Sequence, residues 1–121
     1  MFTISVQTHF RALHQLILPD GSKEPLHSHN WVVTVNVCSD VLSNIGVVMD
    51  FSQLKSAVET ITSEFNNISM DRIDYFQRNN PSAENVAKYI YEKLESKLPK
   101  ELELRSIKVE EEQGCWAEYT K

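Results

Sequence analysis

The chain has 121 residues, of which 41% are hydrophobic and 24% charged, and its formal net charge is -5 at neutral pH. This length is typical of one core, so we expect a single domain over residues 1–121. An acidic chain without clustered Lys and Arg is not expected to bind nucleic acid, because neutralising phosphates requires a basic surface. No segment has the run of roughly 18 apolar residues that spans a membrane, and the N-terminus lacks the pattern of a signal peptide. We therefore expect a cytoplasmic protein whose Cys38 and Cys115 are reduced thiols.

The first two predicted elements are strands that form a hairpin. Residues 2–14 alternate in polarity and place His14 on the apolar face. Residues 18–25 (LPDGSKEP) have the turn chemistry expected between two strands. The alternation then resumes over residues 26–38.

Two amphipathic helices are predicted next. Asp50 can cap a helix whose apolar residues recur three and four apart as far as Phe65. A loop rich in Asn and Asp follows. Asn80 is the predicted N-cap of the second helix, with Pro81 as its first residue, and this helix ends before Pro99.

The last segment, residues 105–119, indicates two strands or one strand bent sharply at Gly114. The element order ββααββ excludes a doubly wound parallel sheet, in which strands and helices alternate. It predicts an α+β fold, with an antiparallel sheet and two helices packed on one face. Val32, Thr34 and Cys38 lie on the other face, and we expect a neighbouring subunit to cover them.

Three histidines form a candidate metal site. Residues two apart in a strand point the same way, so His27 and His29 in LHSHNW present two imidazoles on one face. A hairpin can place His14 opposite that pair. Three neutral imidazoles with one open position are typical of a catalytic zinc site. The alternative is that these are surface or hydrogen-bonded core histidines, because an HxH pair often occurs by chance; His9 is on the opposite face and is interpreted as structural or exposed.

Glu111 is a second unusual residue, because it shares strand parity with Ile107 and Val109 and is therefore aimed at the apolar side. A buried carboxylate needs a partner. It can accept two hydrogen bonds from an amidine-like pair of N–H groups on a heterocycle. The alternative is that the acidic run 110–112 is a solvated strand end.

Other charged residues have both a functional and an ordinary interpretation. Glu24 lies three residues before His27, where it can act as a general base near a metal or remain an exposed turn residue beside Lys23. Asp71 and Arg72 have the pattern of a surface ion pair.

Five motifs in order resemble the 6-pyruvoyl-tetrahydropterin synthase family, which also contains 6-carboxy-tetrahydropterin synthases. They are FRALH (10–14), LHSHNW (26–31), GVVMDF (46–51), NNPSAEN (79–85) and VEEEQGCWAEY (109–119). The resemblance implies the tunnelling fold, in which three subunits join their sheets into a barrel. Two trimers then stack as a homohexamer with sites at subunit boundaries.

The resemblance also implies roles for individual residues. The family's zinc ligands correspond to His14, His27 and His29, with Ser28 in place of the Gly of an HGH motif. The Glu that anchors the pterin ring corresponds to Glu111, and Ser82 takes the place of a Thr or Ser near the ring. The implied cofactor is therefore Zn²⁺ and the implied partner is a small pterin.

Two departures from the family pattern bear on the reaction. The catalytic Cys that typical members carry just before the HxH pair is absent, and Glu24 stands where one branch of the family has a Glu. Members of that branch resemble enzymes that cleave the side chain of 7,8-dihydroneopterin triphosphate to give 6-hydroxymethyl-7,8-dihydropterin, a folate precursor. The family's Asp-His proton relay aligns with Asp71 and Arg72. Arg cannot shuttle protons near neutral pH, because its pKa exceeds about 12, although Arg72 can hold a phosphate.

Three hypotheses follow. The first is a zinc-dependent pterin side-chain lyase in which Glu24 removes a hydroxyl proton and Glu111 holds the ring. The second keeps the fold but gives 6-carboxy- or 6-pyruvoyl-tetrahydropterin as the product. The third is a catalytically silent oligomer that binds zinc and pterin.

Overall fold

The computed structural model describes all residues, 1–121. Four strands and three helices follow one another along the chain: β1 (Phe2–His14), β2 (His27–Ser39), α1 (Phe51–Thr62), α2 (Asp74–Arg78), α3 (Ala83–Glu95), β3 (Glu103–Glu112) and β4 (Cys115–Tyr119). A 3-10 turn, Met70–Arg72, precedes α2. The strands form one antiparallel sheet in the order β1-β2-β3-β4. The predicted α+β fold is confirmed. No helix combines the length and the hydropathy that crossing a membrane requires.

The β1–β2 hairpin determines the register of the sheet. All of β1 pairs with β2 without a break, from Phe2 opposite Ser39 to His14 opposite His27. The connection between the strands closes at its tip, where Leu18 accepts a bond from Gly21, whose φ of +87° is left-handed. The hairpin prediction is therefore correct, and it brings His14 beside His27.

Both long helices pack on the same face of the sheet, α1 against β1 and α3 against β3 and β4. The alternation along the strands buries one parity in a continuous core, which includes Phe10, Trp31, Val33, Val35, Ile107 and Val109. The helices contribute the apolar stripes Leu54, Val58 and Ile61 and Val86, Ile90 and Leu94. Each such side chain stabilises the fold by about 1.5–3 kcal/mol on burial, so the core rather than the helices' own propensity holds this arrangement.

The first helix begins as predicted. Asp50 is its N-cap, and the carboxylate oxygen Oδ1 accepts bonds from the backbone N–H groups of Ser52 at 2.7 Å and Gln53 at 3.4 Å.

The N-cap prediction for the second long helix is wrong. Ser82 caps α3 by accepting a bond from the backbone N–H of Asn85 at 3.2 Å, and neither Asn80 nor Pro81 is helical. The side chain of Asn80 instead bonds both backbone groups of Ile17: it accepts from the N–H at 2.8 Å and donates to the C=O at 3.0 Å. This tertiary contact links the β1–β2 connection to the start of α3.

The loop predicted between the long helices contains the 3-10 turn and α2. Neither has a side-chain cap. Met70 and Phe76 are buried in the core, so tertiary packing holds these short elements and local sequence signals do not. In the C-terminal segment the two-strand alternative is correct, with Gly114 at a φ of +85° between β3 and β4.

The outer face of the sheet differs from expectation at one residue. Val32 and Thr34 are half-buried there. Cys38, however, is fully buried by this chain alone, with Sγ 3.2 Å from Oγ1 of Thr3. The expectation that Cys38 needs a neighbouring subunit is therefore wrong, while the oligomer itself stays a prediction. Cys38 and Cys115 are both free thiols, the first buried and the second exposed.

Candidate metal centre and adjoining cavity

The structure brings the three predicted histidines together at one end of the β1–β2 hairpin. His14 ends β1 opposite His27, and His29 points the same way as His27 because it is two residues further along β2. The ring centroid of His14 lies 4.5 Å from that of His27 and 5.2 Å from that of His29, and the centroids of His27 and His29 are 4.7 Å apart. One nitrogen from each ring lies within 4.8 Å of the other two, so one ion can contact all three.

The protonation of His14 follows from its surroundings. Its Nδ1 lies 2.7 Å from the carbonyl oxygen of Pro81, and because a carbonyl only accepts, Nδ1 carries the hydrogen. Burial lowers the pKa of His14 by desolvating the imidazolium, although the Pro81 carbonyl and the Glu111 carboxylate oppose this shift. The ring is therefore neutral at pH 7, and its Nε2 has a free lone pair. In metal-binding histidines, the ring nitrogen that does not bind the metal typically donates such a hydrogen bond.

Two of the ring nitrogens are buried without a hydrogen-bond partner. These are Nε2 of His14 and Nε2 of His29. A buried polar atom left unpaired costs about 1–3 kcal/mol. His27 resembles His14, because its Nδ1 lies 2.8 Å from the carbonyl oxygen of Pro25 and leaves Nε2 available. Three imidazole nitrogens, two of them orphaned, fit a divalent metal such as zinc.

Trp31 forms the inner wall of this cluster. Its ring packs edge-to-face against His14 at 4.9 Å and His29 at 5.9 Å. The indole N–H donates to the carbonyl of Ala12 at 3.3 Å. An apolar wall of this kind keeps water from the buried side of the histidines.

Glu111 lies against the same histidines. Its carboxylate oxygens are 3.2 Å from Nε2 of His14 and 3.8 Å from Nε2 of His29. The register of β3 with β4 shifts between Glu110 and Glu112, so Glu111 occupies a β-bulge. A bulge commonly redirects a side chain beside an active site. The sequence predicted that the Glu111 side chain points to the apolar side of the strand. In the structure it points toward His14 and His29.

A cavity of about 300 Å³ lies next to the cluster. Both Ser82 and Glu111 line it, together with Leu16, Cys115 and Trp116. These two residues, for which the sequence predicted contact with the ring, thus line one cavity, although Ser82 is the N-cap of α3 and Glu111 lies in β3. Its walls also include Cys115, to which the sequence assigned no role.

Glu24 approaches the cluster from the β1–β2 connection. Its Oε1 accepts a bond from the backbone N–H of Leu16 at 3.0 Å and lies 4.0 Å from Nε2 of His27. The backbone N–H of Glu24 also donates to the Leu16 carbonyl at 3.0 Å. The side chain is 29% exposed, so it is held in place but remains accessible.

Asp71 and Arg72 are not brought to the cluster within this chain. Both are exposed, and no ion pair joins them to each other or to a histidine. The turn that carries them begins beside the end of β1, where Ser69 bridges to Leu13. Their roles stay predictions.

Sequence reasoning missed the supporting groups. The carbonyls of Pro81 and Pro25 fix the histidine tautomers, and a backbone carbonyl leaves no signal in residue type. The one sequence signal for the Pro81 carbonyl is its position directly before Ser82 in the motif NNPSAEN.

Comparison with known proteins identifies the family. The sequence model of 6-pyruvoyl tetrahydropterin synthase matches residues 3–121. The chain belongs to this family. A 6-carboxy-5,6,7,8-tetrahydropterin synthase of Synechocystis sp. is 32% identical over 105 residues, which cover 78% of this chain and 76% of the relative. A dihydroneopterin monophosphate aldolase of Pyrococcus furiosus is 30% identical over 98 residues, covering 81% and 79% of the two chains.

A solved structure of the 6-pyruvoyl tetrahydropterin synthase family has the same fold. The Caenorhabditis elegans 6-pyruvoyl tetrahydropterin synthase superposes with a TM-score of 0.87 at 24% sequence identity. The match covers 99% of this chain and 95% of the other. The tunnelling fold expected from the motifs is therefore present in the single chain, whereas the barrel of joined subunits stays a prediction.

Proposed function

We propose that this protein is a pterin lyase that uses zinc, held by His14, His27 and His29, to cleave the side chain of 7,8-dihydroneopterin triphosphate. The product is 6-hydroxymethyl-7,8-dihydropterin. The observation that carries the proposal is the carboxylate of Glu24, 4.0 Å from His27 Nε2 in a protein without the usual Cys. The Pyrococcus furiosus relative, named an aldolase, supports this reaction class.

Glu24 is the proposed base. When bound, zinc supplies a Lewis acid that polarises the oxygens of the substrate's side chain. Glu24 accepts the proton of the hydroxyl on the second side-chain carbon, whose oxygen then becomes a carbonyl as the bond to the first carbon breaks. The first carbon takes up a proton and becomes the hydroxymethyl group. The Leu16 N–H bond at 3.0 Å holds Glu24 in position for this transfer.

The ring contacts are proposed for the cavity beside the cluster. The Glu111 carboxylate matches the paired N–H groups of a pterin, because two parallel acceptor oxygens face two donors. Ser82 lines the same cavity. A planar ring held there directs its side chain toward the three histidines.

Asp71 and Arg72 have different proposed roles, and that of Arg72 is at the phosphate end of the substrate. Arg72 is exposed, and a guanidinium binds phosphate oxygens in a bidentate way. Asp71 is the proposed remnant of a proton relay. Both contacts need the substrate or a neighbouring subunit to reach the cluster.

The proposed assembly is a cytoplasmic homohexamer, a dimer of trimers, of one pterin-binding domain over residues 1–121. The outer strands support it, because β1 and β4 each have one unpaired edge and such edges readily accept further strands. Val32 and Thr34 on the outer face are half-buried, which leaves area for a partner to cover.

Two other functions have specific support. A 6-carboxy-tetrahydropterin synthase is favoured by the name of the Synechocystis relative, and a 6-pyruvoyl-tetrahydropterin synthase by the name of the family model. A silent zinc- and pterin-binding oligomer is favoured by the missing Cys and by Arg72 at the relay position.

The product distinguishes these functions. The zinc-loaded protein is incubated with 7,8-dihydroneopterin triphosphate, and separately with the monophosphate, and the pterins are identified by mass spectrometry. Formation of 6-hydroxymethyl-7,8-dihydropterin supports the lyase. A 6-pyruvoyl or 6-carboxy product identifies a synthase, and unchanged substrate with measurable pterin binding identifies the silent binder.

A further inference from the structure

The Glu111 carboxylate lies near the distance from the histidine nitrogens that two ligands of one metal ion have from each other. Ligands about 2.0–2.1 Å from a tetrahedral zinc ion are separated from one another by about 3.3 Å. The two carboxylate oxygens of Glu111 lie 3.2 Å and 3.8 Å from Nε2 of His14 and Nε2 of His29. Glu111 therefore lies close enough to two of the three ring nitrogens to share a metal ion with them.

A hydrogen bond does not explain this contact. The Nε2 of His14 is buried without a hydrogen-bond partner, although the Glu111 carboxylate lies 3.2 Å away. The Nε2 of His29 also has no hydrogen-bond partner. A carboxylate and two buried ring nitrogens that form no hydrogen bond with one another can share a divalent cation as a common partner. The arrangement is that of a set of metal ligands.

The backbone leaves the Glu111 side chain free to move. The last pair between β2 and β3 is Val32 with Glu110, so Glu111 lies beyond that ladder and within the bulge toward β4. Its carboxylate makes no hydrogen bond, and its close contacts with charged groups are those with the two histidines. No other ion pair or hydrogen bond therefore holds it in place.

We propose that Glu111 is the fourth ligand of the metal before substrate binds, and that it leaves the metal to hold the pterin ring. This inference rests on the metal site and the ring contact of the proposed function. The same two carboxylate oxygens of Glu111 would bind the metal or the pterin ring, so Glu111 cannot make both contacts at once. Ring binding thereby frees one coordination position for the substrate's side chain.

The test uses the visible absorption of Co²⁺, which reports the number and type of its ligands. Protein loaded with Co²⁺ is compared with Glu111→Gln and with the control Glu112→Gln, which makes the same change at an exposed neighbour in the acidic run. We expect Glu111→Gln to change the spectrum and to weaken Co²⁺ binding about 10-fold or more. The control should match the parent. Circular dichroism establishes that each variant is folded.

Pterin without a side chain provides the second arm, because it can fill the ring cavity but offers no side-chain oxygens. Saturating the parent protein with it should move the Co²⁺ spectrum toward that of Glu111→Gln. Equal spectra and equal Co²⁺ affinities for the parent and Glu111→Gln would overturn the inference. If Glu111→Gln then loses only pterin binding, the proposed function still stands. Failure of the parent to bind Co²⁺ would overturn both.

Discussion

The Nδ1 atom of His14 lies 2.7 Å from the carbonyl oxygen of Pro81, one residue before the N-cap of α3. This bond joins the end of β1 to the segment that lines the neighbouring cavity. The ring orientation of His14 therefore depends on both β1 and the segment before α3. The position of any metal that binds Nε2 of His14 depends on the same two segments.

Replacing His29 by Ala should abolish tight zinc binding. The change removes a buried nitrogen ligand from a set of three, and we expect the affinity to fall by at least about 100-fold. Zinc content after dialysis and competition with a chromophoric chelator measure the effect. His9→Ala is the matched control, because His9 is exposed on the opposite face of β1. Equal zinc affinity in the two variants would contradict the three-histidine site.

The stability of the metal-free protein should fall as the pH drops below the ordinary His pKa of 6.5. The pKa of His14 is lowered in the fold because burial disfavours the imidazolium, so the unfolded chain binds more protons in this range. Stability therefore rises with pH and is lost as the pH falls from 6.5 toward the lowered value. Urea unfolding at pH 7.5 and pH 5.5 measures the loss.

The control for this pH dependence is His14→Gln, which has no titrating group at the buried position. Its loss of stability between the two pH values should be smaller than that of the parent. His9→Gln should show the parent's pH dependence, since His9 is exposed. A parent-like dependence in His14→Gln would exclude His14 as the source.

Glu24→Gln should reduce turnover without removing the metal. The amide keeps an acceptor for the Leu16 N–H, so the loop retains its bond, but it cannot take up a proton. The loss of a general base lowers kcat by about 10²–10⁴-fold. Product formation and zinc content are measured on the same samples, with Glu59→Gln on the exposed side of α1 as the control. Retained turnover would remove Glu24 from the mechanism, and Glu24→Ala should lose turnover as well.

Pterin should protect Cys115 from alkylation. Cys115 is exposed and lines the cavity shared by Ser82 and Glu111, whereas Cys38 is fully buried. A bound pterin ring should slow the alkylation of Cys115 in native protein in proportion to the fraction of sites that it occupies. Mass spectrometry measures the extent of alkylation. Cys115→Ser should give no label under native conditions. Labelling that is indifferent to saturating pterin would place the ring elsewhere.

The same reaction should depend on pH in a defined direction. The pKa of the Cys115 thiol is raised by desolvation and by the neighbouring carboxylates of Glu112 and Glu111. Only the thiolate reacts, so labelling should be slower near pH 7 than for a free thiol and should accelerate as the pH rises. Glu112→Gln should speed the reaction at pH 7, because it removes one of these negative charges.

Ser82→Ala should lower the free energy of unfolding by about 1 kcal/mol, because the cap of α3 loses its acceptor for the Asn85 N–H. Ser56→Ala, at an exposed position within α1, is the matched control and should have little effect. Urea unfolding of both variants gives the difference. Ser82→Asp keeps an N-cap and should restore most of the stability. A loss of pterin binding that persists in Ser82→Asp therefore comes from the change in the cavity and not from loss of the helix cap.

The parts of the fold that follow a local period could be predicted from the sequence. The two-residue alternation of β1 and β2 predicted both strands and the shared face of His14, His27 and His29, and the register follows because the hairpin pairs His14 with His27. The middle of each helical stripe was predicted for the same reason, although Phe51 is exposed and α1 ends at Thr62, before Phe65. Each of these features depends on neighbours in the chain.

The features that depend on distant contacts could not be predicted in this way. Asn80 has the residue type of an N-cap, but its amide bonds Ile17 and Ser82 caps the helix instead. The bulge at Glu111 and the backbone carbonyl of Pro81 likewise become visible only once the strands and α3 are assembled.

The paired bonds between Asn80 and Ile17 have a consequence for how the protein can vary. They tie one stem of the β1–β2 connection to the segment before α3, while the residues around Gly21 remain exposed and bond only within their own turn. Extra residues inserted at that tip would extend into solvent and leave Glu24 beside Leu16. Residues inserted between His14 and Ile17 would break the tie and separate the acid from the histidines, so changes of loop length are compatible with the site only at the tip.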